Sequence, residues 1–222
     1  MSVENIYVIH YTKLTERRLG LNQQFAEHGM DKCNVTWLDQ FDREQATQEL
    51  YDEWYRPNTQ VCPILPVAIF MNYLAHMYGI EHAKVDGVTM IIEDDIILKN
   101  NFKSNIEKVL AAAPANWDMI IIGGNAGIEQ DKIPVDDISV IDPVGATPNK
   151  TSLATCCYLL NNSGARKILG STLTKPFFWP IDDALCYITA ESKCNVYWSK
   201  PFLAYEGSKS GRYERNVGVP RW

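Results

Sequence analysis

The stretch Thr89-Met90-Ile91-Ile92-Glu93-Asp94-Asp95-Ile96-Ile97-Leu98 decides how this chain is read. Its first four residues follow Asp86-Gly87 and form a short apolar run, the pattern of a strand buried on both faces of a sheet. The run ends abruptly in three acids. Adjacent carboxylates repel, each close pair by roughly 3 kcal/mol at ~5 Å and an effective dielectric of about 20. A solvated turn with one acid capping the next helix would tolerate that. Apolar residues on both sides, however, mean that the acids interrupt buried structure, where a cation would offset the repulsion. Carboxylate oxygens suit Mg²⁺ or Mn²⁺, ions that also bind phosphate oxygens.

Working outward, strands and helices alternate. Asn5 to His10 reads as a buried strand and Leu14 to His28 as a helix that Gly29 stops. Val35 to Leu38 is a second strand. Asp42 is placed to cap a helix running to about Tyr55. A loop spans Pro57 to Pro66, and a long helix follows to about Lys84. Beyond the acids come a helix from Phe102 to Ala112, a strand from Met119 to Ile122 ended by Gly123-Gly124, and a stretch from Asn125 to Lys150 without regular pattern. The remaining elements are a strand from Thr155 to Leu160, helices over Ser163 to Leu169 and Ile181 to Glu191, and a strand from Val196 to Trp198. The tail from Leu203 reads as polar and irregular. This alternation predicts an α/β fold, a mostly parallel Rossmann-like sheet with helices on both faces, in which ligands bind beyond the carboxyl ends of the strands.

The bulk numbers narrow the function. With 222 residues, one domain is expected. A net charge of −6 argues against a general nucleic-acid binder, which needs a basic surface. Six cysteines are too sparse for a disulfide scaffold, so all are expected as thiols in a reducing, cytoplasmic setting. No secretory signal or membrane-spanning run is visible, and the sequons at Asn34, Asn149 and Asn161 then carry no weight.

Three groups of residues resemble glycosyltransferase family 25, the lipopolysaccharide and procollagen galactosyltransferase type. The opening Ile6 to Arg18, with its paired arginines, is similar to the family's first strand and loop. Leu74-Ala75-His76 followed by Met90 to Asp95 is similar to its Leu-Ser-His helix and acidic motif, with Ala75 in place of the usual Ser. Thr155 to Ala165 and Pro180-Ile181-Asp182 are similar to its later strand, helix and Pro-x-Asp element. In length and style the chain also resembles glycosyltransferase domains of large algal viruses, for which the setting would be the host cytoplasm. The resemblance implies a GT-A fold, with residues 1 to about 98 as the nucleotide half and about 99 to 222 as an acceptor half with a donor-covering tail. It also implies a Mn²⁺-type cofactor, a UDP-sugar or similar donor, a glycan or glycoconjugate acceptor, and hexosyl transfer to a hydroxyl.

Site expectations follow. Asp95, with Asp94, is expected to ligate the metal, while Glu93 and Asp94 orient ribose, sugar or metal-bound water. Tyr11, Thr12 and Lys13 should meet the nucleotide, with Tyr11 stacking on the base and Arg17 reaching base or phosphate. Asn125, at a strand end, is placed to touch the donor sugar. In Glu206 to Arg212, Ser208, Lys209 and Ser210 are expected over the diphosphate. Asp182 and Asp183, behind the aromatic Phe178-Trp179-Pro180, are candidates for the base that takes the acceptor proton, with Asp182 matching the Pro-x-Asp element; helix capping is the plain alternative for both. His76 reads as a satisfied helix histidine. Competing functions are a sugar nucleotidyltransferase, which the glycine-free loop His10 to Lys13 disfavours, a catalytically dead sugar-nucleotide-binding module, and a paired-carboxylate hydrolase.

Overall fold

The computed structural model describes residues 2–57, 65–83, 85, 87–124, 138–141, 155–208 and 210–214. Its strands are β1 (Val3–Ile9), β2 (Asn34–Leu38), β3 (Val88–Glu93), β4 (Ile96–Leu98), β5 (Met119–Ile121), β6 (Gly123–Gly124), β7 (Ser139–Ile141), β8 (Cys157–Asn161), β9 (Val196–Lys200) and β10 (Ala204–Glu206). Its helices are α1 (Thr15–Glu27), α2 (Gln48–Trp54), α3 (Val67–His82), α4 (Phe102–Ala112), α5 (Asn162–Gly170) and α6 (Ile181–Glu191).

Seven strands form one sheet in the order β2-β1-β3-β8-β5-β9-β7. β2, β1, β3, β5 and β9 run one way; β8 and β7 run the other. The fold is therefore α/β with a mostly parallel sheet. Strand alternation sends successive side chains to opposite faces. Ile91, Met119 and Ile121 pack with α2, α3, α5 and α6 on one face. Met90, Ile92 and Ile120 pack with Leu21 and Phe25 of α1 and Phe102, Ile106 and Val109 of α4 on the other. Both faces of the sheet are thus covered, which is why its central strands read as unbroken apolar runs.

Gly29 ends α1 as expected, at φ 68°, where Met30 N–H reaches back to the Phe25 carbonyl at 2.8 Å. Three expectations are corrected. The helix placed from Asp42 to Tyr55 is two pieces: Asp42 caps only the 3₁₀ turn Arg43–Gln45, and the Thr47 hydroxyl accepts from Leu50 N to start α2 afresh. The patternless stretch after Asn125 contains β7, an edge strand paired antiparallel with β9. The tail is not irregular throughout, because β10 lies between β4 and β6 in a small second sheet. This sheet ties the tail to the strand that directly follows the acids and to Gly123-Gly124. Among the described residues no helix is long and apolar enough to cross a membrane, and Cys33, Cys156, Cys157, Cys186 and Cys194 are free thiols.

Candidate functional site

A cleft of about 390 Å³ opens at the carboxyl ends of β1 and β3. The first strand delivers His10 and Tyr11 to it, the third delivers Glu93, Asp94 and Asp95, and α3 forms an adjoining wall. Pro180, Ile181 and Asp182 enter from the start of α6, and Glu206 and Ser208 from the tail.

Within the triplet the three acids have different surroundings. Asp94 is 6% exposed and held on both oxygens: Oδ1 accepts from Arg17 Nη1 at 2.9 Å and Oδ2 pairs with His10 Nδ1 at 2.8 Å. Glu93 Oε1 accepts from Asn72 Nδ2 at 3.1 Å and lies 3.5 Å from His76 Nε2. Asp95 is as buried as Asp94, but its Oδ1 has no hydrogen-bond partner among the described residues, and Arg17 Nη1 is 3.8 Å from its Oδ2. Burial, followed by repulsion from Glu93, pushes Asp95 up to about 7, although a Ser208 hydrogen bond and Arg17 pull it down. Gly207 N–H donates to the Asp95 carbonyl at 2.6 Å, so the tail is pinned onto the triplet.

On the α6 side, Asp182 Oδ1 accepts from the Thr155 amide at 2.8 Å and its hydroxyl at 2.6 Å. This carboxylate is oriented by β8's approach rather than used as a helix cap; the N-cap of α6 is Pro180. Burial, and then Glu93, raise its pKa. His76 is fully buried, with Nδ1 3.0 Å from the Tyr158 hydroxyl, and burial pushes it down to about 3, which leaves the ring neutral. It is the satisfied histidine expected.

Among the described residues, the buried side-chain N and O atoms without a partner are His10 Nε2, Asn72 Oδ1, Asp95 Oδ1 and Ser199 Oγ. The first three belong to residues lining this one cleft. Since a carboxylate can only accept, His10 Nδ1 carries the hydrogen toward Asp94, and Nε2 is left without a partner. By the same reasoning Asn72 turns its NH₂ to Glu93 and its oxygen away. Two unpartnered oxygens, Asn72 Oδ1 and Asp95 Oδ1, and one ring nitrogen, His10 Nε2, thus belong to residues that line the cleft, and a ligand that satisfies the two oxygens brings hydrogen-bond donors or a cation.

Of the residues expected at the site, Tyr11, Arg17, Glu93, Asp94, Asp95, Asp182 and Ser208 line the cleft. Thr12 does not; its amide donates to Asp42 Oδ1 at 2.9 Å. Lys13 is exposed and pairs with Glu44 at 2.6 Å. Asp183 and Ser210 also lie outside the lining, the Ser210 hydroxyl bonding the Gly207 carbonyl at 2.9 Å. Arg17, expected at a base or phosphate, is engaged by Asp94, because a buried carboxylate needs a counter-charge. Asp94, expected as a second metal ligand, already has a protein donor on each oxygen. Asn125 and Lys209 lie outside the described residues. Sequence reading missed His10, Phe41, Arg43, Asn72 and Glu206 as cleft residues. Arg43 stacks its guanidinium on the Tyr11 ring at 4.2 Å, a contact across more than thirty positions that no local pattern announces.

No cluster of three or more His, Cys, Asp or Glu side chains arranged to hold a metal occurs among the described residues. No protein-family model matches the sequence, and no curated protein sequence matches it. Among solved structures, mouse xyloside xylosyltransferase 1 in its apo form is similar with a TM-score of 0.40 at 11% identity, over 98% of this chain and 87% of that one.

Proposed function

We propose that the chain is a metal-dependent glycosyltransferase of GT-A type that moves a sugar from a nucleotide-sugar, a UDP-sugar in the first instance, to a hydroxyl of a glycan or glycoconjugate. The observation that carries this reading is the set of unpartnered polar atoms, Asp95 Oδ1, Asn72 Oδ1 and His10 Nε2, on residues that line the cleft with the acidic triplet. A sugar supplies hydroxyl donors, a pyrimidine base supplies an N–H, and a divalent cation fits the bare Asp95 oxygen. The segments that resemble family 25 support it further. The loop after β1, the Leu74-Ala75-His76 turn of α3, the triplet and Pro180-Ile181-Asp182 are far apart in sequence yet meet at or beside this cleft.

A cation at this site needs no preformed protein cluster. Mg²⁺-type ions are commonly held by one or two carboxylates, with substrate phosphates and water completing the shell. Asp95 would hold the ion, with Glu93 alongside. When bound, the ion would neutralise charge on the departing diphosphate. Asp94 keeps Arg17 and His10 in place, and Tyr11, backed by Arg43, offers a face for the base.

In the transfer, the acceptor oxygen bonds to the anomeric carbon, the bond from that carbon to the phosphate oxygen breaks, and the nucleoside diphosphate leaves. The hydroxyl proton passes to Asp182, whose raised pKa makes it a stronger base than an ordinary carboxylate. Pro180 and Ile181 give the acceptor an apolar approach.

A panel of nucleotide-sugars with Mn²⁺, read by nucleotide release and by thermal shift, tests the reading. Stabilisation and slow release with at least one donor are expected. A protein indifferent to every nucleotide-sugar contradicts it.

A further inference from the structure

We infer that Asn72 reads a hydroxyl group of the donor sugar. This rests on the glycosyltransferase reading and adds to it a residue that sets sugar specificity. Asn72 and His76 are one turn apart on α3 and converge on Glu93 Oε1, at 3.1 and 3.5 Å. Glu93 fixes the amide orientation, because the reversed rotamer would set oxygen against oxygen. Asn72 Oδ1 is consequently held in one direction, buried and without a partner among the described residues, on a residue that lines the cleft.

The surroundings select the ligand group. The other α3 residues on this wall are Ala68, Ile69, Met71 and Ala75, so the amide is the polar point on an apolar surface. That combination suits a sugar ring, which presents C–H faces and directional hydroxyls. A phosphate oxygen is a poor match, since Asn72 Oδ1 and the neighbouring Glu93 are both acceptors. A metal-bound water is the other O–H donor available, and the experiment separates the two.

The test compares wild type with Asn72→Ala on the best donor from the UDP-sugar panel and on its single-deoxy counterparts, with UDP and Mn²⁺ affinities measured alongside. Alanine suits a helix position, and thermal unfolding checks the fold; Asn72→Leu, closer in volume, is the second variant. Wild type is expected to reject one deoxy donor by about tenfold or more in kcat/KM, since losing that hydroxyl strands a buried acceptor. Both variants should lose about as much on the full donor and treat the two donors alike, with UDP and Mn²⁺ affinities unchanged. Discrimination that survives in the variants overturns the inference alone. So does a drop in Mn²⁺ affinity with discrimination intact, which would place a metal-bound water at Asn72. A wild-type protein that uses no nucleotide-sugar overturns this inference and the function beneath it.

Discussion

Arg17 Nη1 lies 2.9 Å from Asp94 Oδ1, and both side chains are more than nine-tenths buried. Arg17 also donates through Nη2 to the Glu214 carbonyl and sits against the Tyr213 ring. One guanidinium thus joins the acidic triplet, the first helix and the tail.

Removing that guanidinium leaves a buried carboxylate without its main counter-charge. Arg17→Met is expected to lower unfolding free energy by about 3 to 5 kcal/mol. Urea denaturation measures this directly. A loss under about 1 kcal/mol would mean that His10 alone compensates Asp94.

Asp95 carries a pH signature. Its folded pKa of about 7 lies above the ordinary 3.8. Between those values the folded state binds more protons than the unfolded one, so this group lowers stability as pH rises through the window. His76, pushed down from 6.5 to about 3, has the opposite slope below pH 6.5. Subtracting wild-type from Asp95→Asn profiles cancels the histidine. Across about pH 4 to 7 the variant should gain on wild type by on the order of 4 kcal/mol. The same variant should lose the Mn²⁺-dependent stabilisation by UDP. A flat difference profile would show that Asp95 is solvated.

Gly207 approaches the triplet too closely for a side chain. A Cβ there would lie 2.6 Å from the Asp95 carbonyl oxygen and 2.7 Å from the Tyr213 ring. Gly207→Ala is expected to destabilise by about 1 to 3 kcal/mol through overpacking and to raise the donor KM as the tail shifts. Gly170, where an added methyl would meet nothing within 4 Å, is the control. Its alanine variant should keep wild-type kinetics.

Asp182 faces the cleft with one oxygen oriented by Thr155. Asp182→Asn preserves the shape but cannot take a proton. Transfer kcat is expected to fall by about 10²- to 10⁴-fold, with the UDP dissociation constant unchanged. A variant that transfers at the wild-type rate would remove Asp182 from the chemistry.

How much of this was legible beforehand varies by residue. The apolar run before Glu93 announced a central strand because it packs helices on both faces, and Gly29 announced a helix end because its φ is positive. Phe102–Ala112 and Ile181–Glu191 have the bounds that their spacing predicts. β7 and β10 were not legible. Each is three residues long, and their pairing is supplied by partners elsewhere in the chain.

By itself, then, the sequence determined the alternation of strands and helices and the placing of three carboxylates at a strand end, because apolar period and chain direction are local properties. Only the tertiary structure decided which carboxylate is left bare. Asp94 meets Arg17 and His10 across 77 and 84 positions, and Glu93 meets Asn72 across 21. Those pairings depend on strand order and register, in which long-range packing outweighs any local preference. The same packing left Asp95 buried with an oxygen that no group among the described residues satisfies.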